Sequence, residues 1–138
     1  MPYTADWYIE NEIIYVHYTG AVTQDDIRGT FATANQFIER SPRHIVHLIT
    51  DVGDITKPLN PKDSLEAMRD ITFHPRFGWT IILREKSVLV KIGVMFGSSL
   101  FKVRNKTLAS MSEAHAFLSE SDPNLSWDKA NASILASS

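Results

Sequence analysis

The chain has 138 residues, the size of one domain, and its 43% hydrophobic residues are enough for one sizeable core. Charged residues make up 22% and the formal net charge is −2, which excludes a disordered composition and a basic field for gripping nucleic acid. There is no cysteine, hence no disulfide and no thiolate metal site, as suits a reducing compartment.

The opening "MPYTADWYIENE" has neither the basic start nor the apolar run of a signal peptide. Two aromatic and β-branched runs, "DWYIE" and "EIIYVHYTG", flank Asn11 and predict an antiparallel hairpin ended by Gly20. Thr23 then caps a helix with Asp25 and Asp26 in its first turn, at the positive end of the dipole. Ile27, Phe31, Ala34 and Ile38 share one face of it, Phe37 widens that face, and Ser41-Pro42 stops it.

"RHIVHLITD" is a nearly continuous apolar run, the pattern of an inner strand covered on both faces. A polar loop over 51–60 is expected next. Asn60 and Pro61 then open a second helix, with Leu65, Met68 and Ile71 turned inward and "HPRFG" after it. "WTIILRE" is a further strand. Residues 87–100 carry strand-like β-branched content. Their length and position favour a helix, with Leu89, Ile92, Phe96 and Leu100 in register. This longest apolar stretch also holds Lys91 and two glycines, and falls short of the roughly 20 apolar residues of a bilayer span. A cytoplasmic protein with no membrane partner is therefore expected. "FKVRNKT" is the last strand, and Ser110 with Glu113 matches a capping box for a helix lined by Met111, Ala114, Phe117 and Leu118. After Asp122-Pro123 the tail either forms a short helix anchored by Trp127 or frays.

The order β-β-α-β-α-β-α-β-α belongs to the α/β class. It implies a mixed sheet, mostly parallel after an N-terminal antiparallel hairpin, with crossover helices packed on it. With "DWYIENEIIYVHYTGAVT", "VHLITDVGDI", "FHPRFGWTIIL" and "TLASMSEAHAFL", it resembles the SpoIIAA-like, or STAS, fold over about residues 5 to 120. The likeness is to its small stand-alone bacterial members. On that resemblance residues 1–120 are one domain and 121–138 a C-terminal tail. It implies a non-catalytic regulatory or protein-interaction module, as in the anti-sigma-factor antagonists, where a partner kinase phosphorylates a Ser in an Asp-Ser-Ser-Gly-Leu type motif. The matching stretch here is Asp63-Ser64-Leu65, which makes Ser64 the candidate phosphoacceptor; the second Ser and the Gly are absent. A helix's first turn welcomes phosphate, although Asp63 would repel it. The plainer reading is a solvated serine beside a helix-starting Asp.

Asp51 ends a parallel strand, where open α/β sheets collect ligands, and Asp54, Lys57 and Asp63 follow, a candidate interaction site. A phospho-receiver reading of Asp51 fails because "YVHYTGAV" offers no acidic pair for magnesium. His44 and His47 point to opposite sides of a strand and so do not chelate one metal; His17 lies on the neighbouring strand and can approach one of them. "FGSSL" lacks the second Gly of a nucleophile elbow, and no phosphate-cradling glycine motif occurs. No enzyme activity, cofactor or metal is expected. Val94 and Met95 fall outside the apolar stripe of 87–100, leaving a helix apolar nearly all round, a candidate interface for a homodimer or a groove for an apolar ligand. The alternative function is binding of a small apolar ligand in a cleft walled by Trp7, Tyr8, Phe77 and Trp79.

Overall fold

A computed structural model describes residues 3–85 and 104–135. The elements are β1 (Tyr3–Ile9), β2 (Ile13–Ala21), α1 (Gln24–Arg40), β3 (Val46–Lys57), α2 (Pro61–Arg69), β4 (Phe77–Leu83), β5 (Asn105–Leu108) and α3 (Met111–Ser121). Two single 3₁₀ turns follow, Trp127–Lys129 and Ala132–Ile134, in place of a tail helix. The strands form one sheet in the order β1-β2-β3-β4-β5, with β1–β2 antiparallel and every other pair parallel. The α/β class, the opening hairpin and the largely parallel sheet are as expected. The helix expected over 87–100, with Val94 and Met95, lies outside the described residues.

Local signals explain the starts of the elements. Asn11 turns the hairpin at φ +68°, a left-handed conformation that Asn tolerates better than most residues. Thr23 and Asp26 form a full reciprocal capping box. Asn60 Oδ1 accepts from Asp63 N at 2.8 Å with Pro61 at the first helical position. Ser110 accepts from Glu113 N, but Glu113 Oε2 reaches back to Ala109 N rather than to Ser110. At the other end of α1, Arg76 donates to the carbonyl of Ile38 in the helix's last turn and to those of Ser41 and Arg43 just beyond it, at 2.6–2.7 Å.

Two apolar layers cover the two faces of the sheet. On one, Ile14, Val16, Val46, Leu48 and Ile82 pack beneath Ala34 and Ile38 of α1, with Ile27, Phe31 and Phe37 at the margin. α2 lies beside α1, with Gln24 bonded to Asp63 and Glu66, and Arg28 to Asp70. Only Ala67 of α2 is fully buried; Leu65 and Met68 are half-buried and Ile71 falls beyond the helix end, so the expected inward stripe is a partial one. On the opposite face, Ile9, Ile13, Tyr15, Ile49, Ile81 and Leu83 pack against Ala114 and Leu118 of α3 and Leu125 of the tail.

Three of the four irregularities in register decide which side chains meet. In β1, Trp7 pairs with Ile14 and Ile9 with Ile13, so Tyr8 is an extra residue and both Tyr8 and Ile9 face α3. Along β3, His17 pairs with Asp51 and Thr19 with Asp54, leaving Val52 and Gly53 together opposite Tyr18. In β4, Val46 pairs with Phe77 and Leu48 with Thr80, leaving Gly78 and Trp79 together opposite His47. Each extra residue reverses the alternation of faces along its strand.

Candidate functional site

At the carboxyl ends of the parallel strands, on the α3 face, five side chains form one network. Asp51, 4% exposed, accepts from Tyr15 Oη at 3.0 Å, from Arg84 Nε at 2.9 and 3.0 Å on its two oxygens, and from Gly53 N at 3.0 Å. Arg84 Nη2 also reaches Asp54 Oδ2 at 3.0 Å, and His17 Nε2 lies 2.7 Å from the same oxygen. On a regular strand residues three apart point to opposite faces. The bulge at Val52–Gly53 is what turns Asp54 to the side of Asp51.

Arg84 occupies φ +56° at the end of β4, an uncommon backbone for a long side chain. Gly53 gives it room: a Cβ there would lie 2.6 Å from the guanidinium carbon and 2.8 Å from Arg84 Cβ. The bond to Asp51 raises the Arg84 pKa, and the bonds from His17 and then Arg84 lower that of Asp54. Asp51 is therefore a buried carboxylate with its acceptor positions filled by protein donors, a poor phosphoacceptor or general base.

A second network sits at the amino ends of β3 and β4. Asp122, which caps the C-terminus of α3, accepts from Arg43 at 2.7 and 3.1 Å and from His47 Nε2 at 2.9 Å. His47 Nδ1 accepts from Trp79 N at 3.0 Å, a bond that the bulge at Gly78–Trp79 makes reachable. Both ring nitrogens are thus occupied, which with 1% exposure removes His47 from acid–base work on any substrate. Burial lowers the His47 pKa, and the Arg43 bond holds the Asp122 carboxyl far below the usual carboxylate range.

The site residues expected from sequence do not converge on one loop. Asp51, Asp54 and Lys57 belong to β3, which continues to Lys57 because β2 keeps supplying partners as far as Ala21; the polar loop expected over 51–60 shrinks to Pro58–Asn60. Asp51 and Asp54 meet, whereas Lys57 is exposed at the strand's end and Asp63 is tied to Asn60 and Gln24. Ser64 is the fourth residue of α2, and its N–H already bonds to Asn60 O at 3.0 Å. His17 lies beside Asp51 and away from His47, which pairs with Ile13. Among the described residues no group of three or more His, Asp or Glu is arranged to hold a metal ion.

The cleft walled by Trp7, Tyr8, Phe77 and Trp79 does not form. Trp7 stacks near Phe37 and Phe77 near Phe31 on the α1 face, while Tyr8 meets Trp127 and Trp79 meets Phe117 on the other. Adjacent residues of a strand diverge, and the bulge in β4 separates Phe77 from Trp79 as well.

Arg84, Tyr15, Arg43 and Asp122 carry the two networks without any motif to announce them. A legible hint was the histidine inside "IVHLI", since a polar ring in a buried run requires a partner. Among the described residues no helix is long and apolar enough to cross a membrane. No family model and no curated protein matches the chain.

Proposed function

We propose that the chain is a non-catalytic regulatory or protein-interaction module of SpoIIAA-like type, with residues 1–120 as its domain. The observation that carries this reading is the projecting end of β3. Pairing with β4 stops at Asp51–Leu83, yet β3 continues beside β2 to Lys57. Over residues 52–57 no described strand pairs with its other edge. Such an edge recognises an extended segment of a partner through main-chain hydrogen bonds, and flanking side chains select it. Here those side chains are Asp54, Thr56 and Lys57, with Ile55 half-buried between them.

A non-catalytic role is supported by how the ionisable groups are spent. Asp51, Asp54, Asp63, His17, His47 and His74 each hold an intramolecular partner. Ser64 has no part in this proposal. As the fourth residue of α2, with its N–H engaged, it offers a phosphate little of the helix's free donor end.

The test is affinity capture from the native host with the wild-type chain and with Thr56→Glu and Lys57→Glu, both exposed. A specific protein retained by the wild type and lost from both variants, with unchanged circular dichroism, is the expected result. Equal recovery with all three, or a co-purifying small molecule and no protein, would sink the proposal.

A further inference from the structure

With the projecting edge of β3 as the docking strand, a reading on which this rests, we infer that it selects an extended partner segment in which a lysine or arginine adjoins an apolar residue. The place open to a partner is the line that β4 has followed. β4 pairs with β3 as far as Leu83, and Arg84, at φ +56°, ends its extended course. Extra residues bracket the open stretch. The bulge at Val52–Gly53 precedes it, and a further register shift leaves Thr56 between Ile55, opposite Gly20, and Lys57, opposite Ala21. Asp54 and Ile55 are the regular residues between the two shifts, so selection falls on what lies beside them.

On the α3 side a newcomer meets Asp54. Its Oδ2 accepts from Arg84 Nη2 at 3.0 Å and lies 2.7 Å from His17 Nε2, and its Oδ1 makes no hydrogen bond among the described residues. The Asp54 side chain is 41% exposed, whereas Arg84 is mostly buried and has its Nε on Asp51. Two carboxylates share that one guanidinium, and the oxygen left for a partner is an acceptor with negative charge. Lys57 stands three residues on, exposed at the strand's tip, and forms no ion pair with Asp54. A cation beside Asp54 gains a charge-assisted hydrogen bond; a second carboxylate there is repelled.

The α1 side of the same stretch is apolar. Val52 is buried in the layer beneath α1, and Ile55 and Leu59 are half-buried at its margin. Successive side chains of an extended segment point to opposite faces, so the residue next to the cation falls on this side. There an aliphatic side chain extends the layer and covers Ile55, which a polar one does not. The two faces of the edge therefore read two neighbouring residues, one by charge and one by apolar contact.

Titration of blocked pentapeptides into the ¹⁵N-labelled full chain tests this. The probes are Thr-Val-Lys-Val-Thr and its counterparts with Gln or Glu at the centre, each reading the same in both directions so that strand polarity does not matter. Amide shifts at 52–57 are expected, with the Lys peptide at least about threefold tighter than the Glu peptide and the Gln peptide between them. High salt should narrow the gap. Asp54→Asn should close it, and Thr-Thr-Lys-Thr-Thr should bind more weakly than the valine peptide. Equal binding of the three centres at 52–57, or a preference for Glu, would overturn the inference and leave the edge as the docking strand. Shifts at 52–57 with none of the peptides would overturn both. Should Asp54→Asn not fold, the order of the three peptides and its salt dependence in the wild type decide.

Discussion

Arg84 lies across Asp51 with Nε 2.9 Å from one carboxylate oxygen and 3.0 Å from the other, and the pair is buried to 17% and 5% side-chain exposure. This contact ties the first residue after β4 to the strand beside it. Removing the cation alone leaves Asp51 charged and only partly compensated by Tyr15 and Gly53. Arg84→Ala should cost about 3 kcal/mol in urea unfolding at neutral pH. Asp51→Asn combined with Arg84→Ala should cost less than the two single losses summed, by at least about 1 kcal/mol. Strict additivity would mean the pair contributes nothing as a pair.

Glycines at the bulge and at the hairpin's far end should respond differently to alanine. Gly20 has φ +69° and nothing within 4 Å of the place a Cβ would take, so Gly20→Ala carries only backbone strain, about 1 kcal/mol. Gly78→Ala would drive a methyl into His47 Nδ1 at 2.5 Å and Ile45 at 3.0 Å, and would weaken the Trp79 bond. Its cost should exceed that of Gly20→Ala by about 1–3 kcal/mol. Chemical denaturation of both variants checks the order, and a reversed order would dismiss the close packing of His47 on β4.

Those two glycines also mark the division between what is local and what is not. The hairpin, the starts of the three described helices and the burial of β3 on both faces are written in neighbouring residues: Asn11, Thr23 with Asp26, Asn60-Pro61, Ser110 and the run Ile45 to Ile49. Bulges are relations between two strands, and no single strand's alternation reveals them. Without the one at Val52–Gly53, Asp54 would face away from Asp51; without the one at Gly78–Trp79, Phe77 and Trp79 would share a face. The Arg43–Asp122 pair spans 79 residues of sequence, so Asp122 reads locally as a helix breaker and nothing more.

At the start of α2 the sequence places a cap and a serine four residues apart, and the structure separates their roles. Asn60 holds Asp63 N at 2.8 Å, whereas Ser64 Oγ makes no hydrogen bond among the described residues. Asn60→Ala should lower stability by about 1 kcal/mol. Ser64→Ala should stay within about 0.5 kcal/mol. Thermal or urea midpoints suffice to compare them. A larger loss at Ser64 than at Asn60 would reopen the case for a functional serine at this helix.

Asp122 sets the acid limit of the fold. Its carboxyl is held far below the ordinary 3.8, first by the Arg43 bond and in part by His47, with burial opposing. A depressed carboxylate contributes stability that is fully present above its ordinary value and is lost as pH falls through and below it. Asp122→Asn should therefore be less stable than the wild type at pH 7, by about 3 kcal/mol because Arg43 is left in a half-buried site without its counter-charge. The gap should narrow only below about pH 4 as the wild-type carboxylate takes up its proton. Urea midpoints of both chains at pH 7, 4.5 and 3 follow the gap. A gap that stays constant to the lowest pH would show that Asp122 holds α3 by shape and hydrogen bonding, with its charge irrelevant.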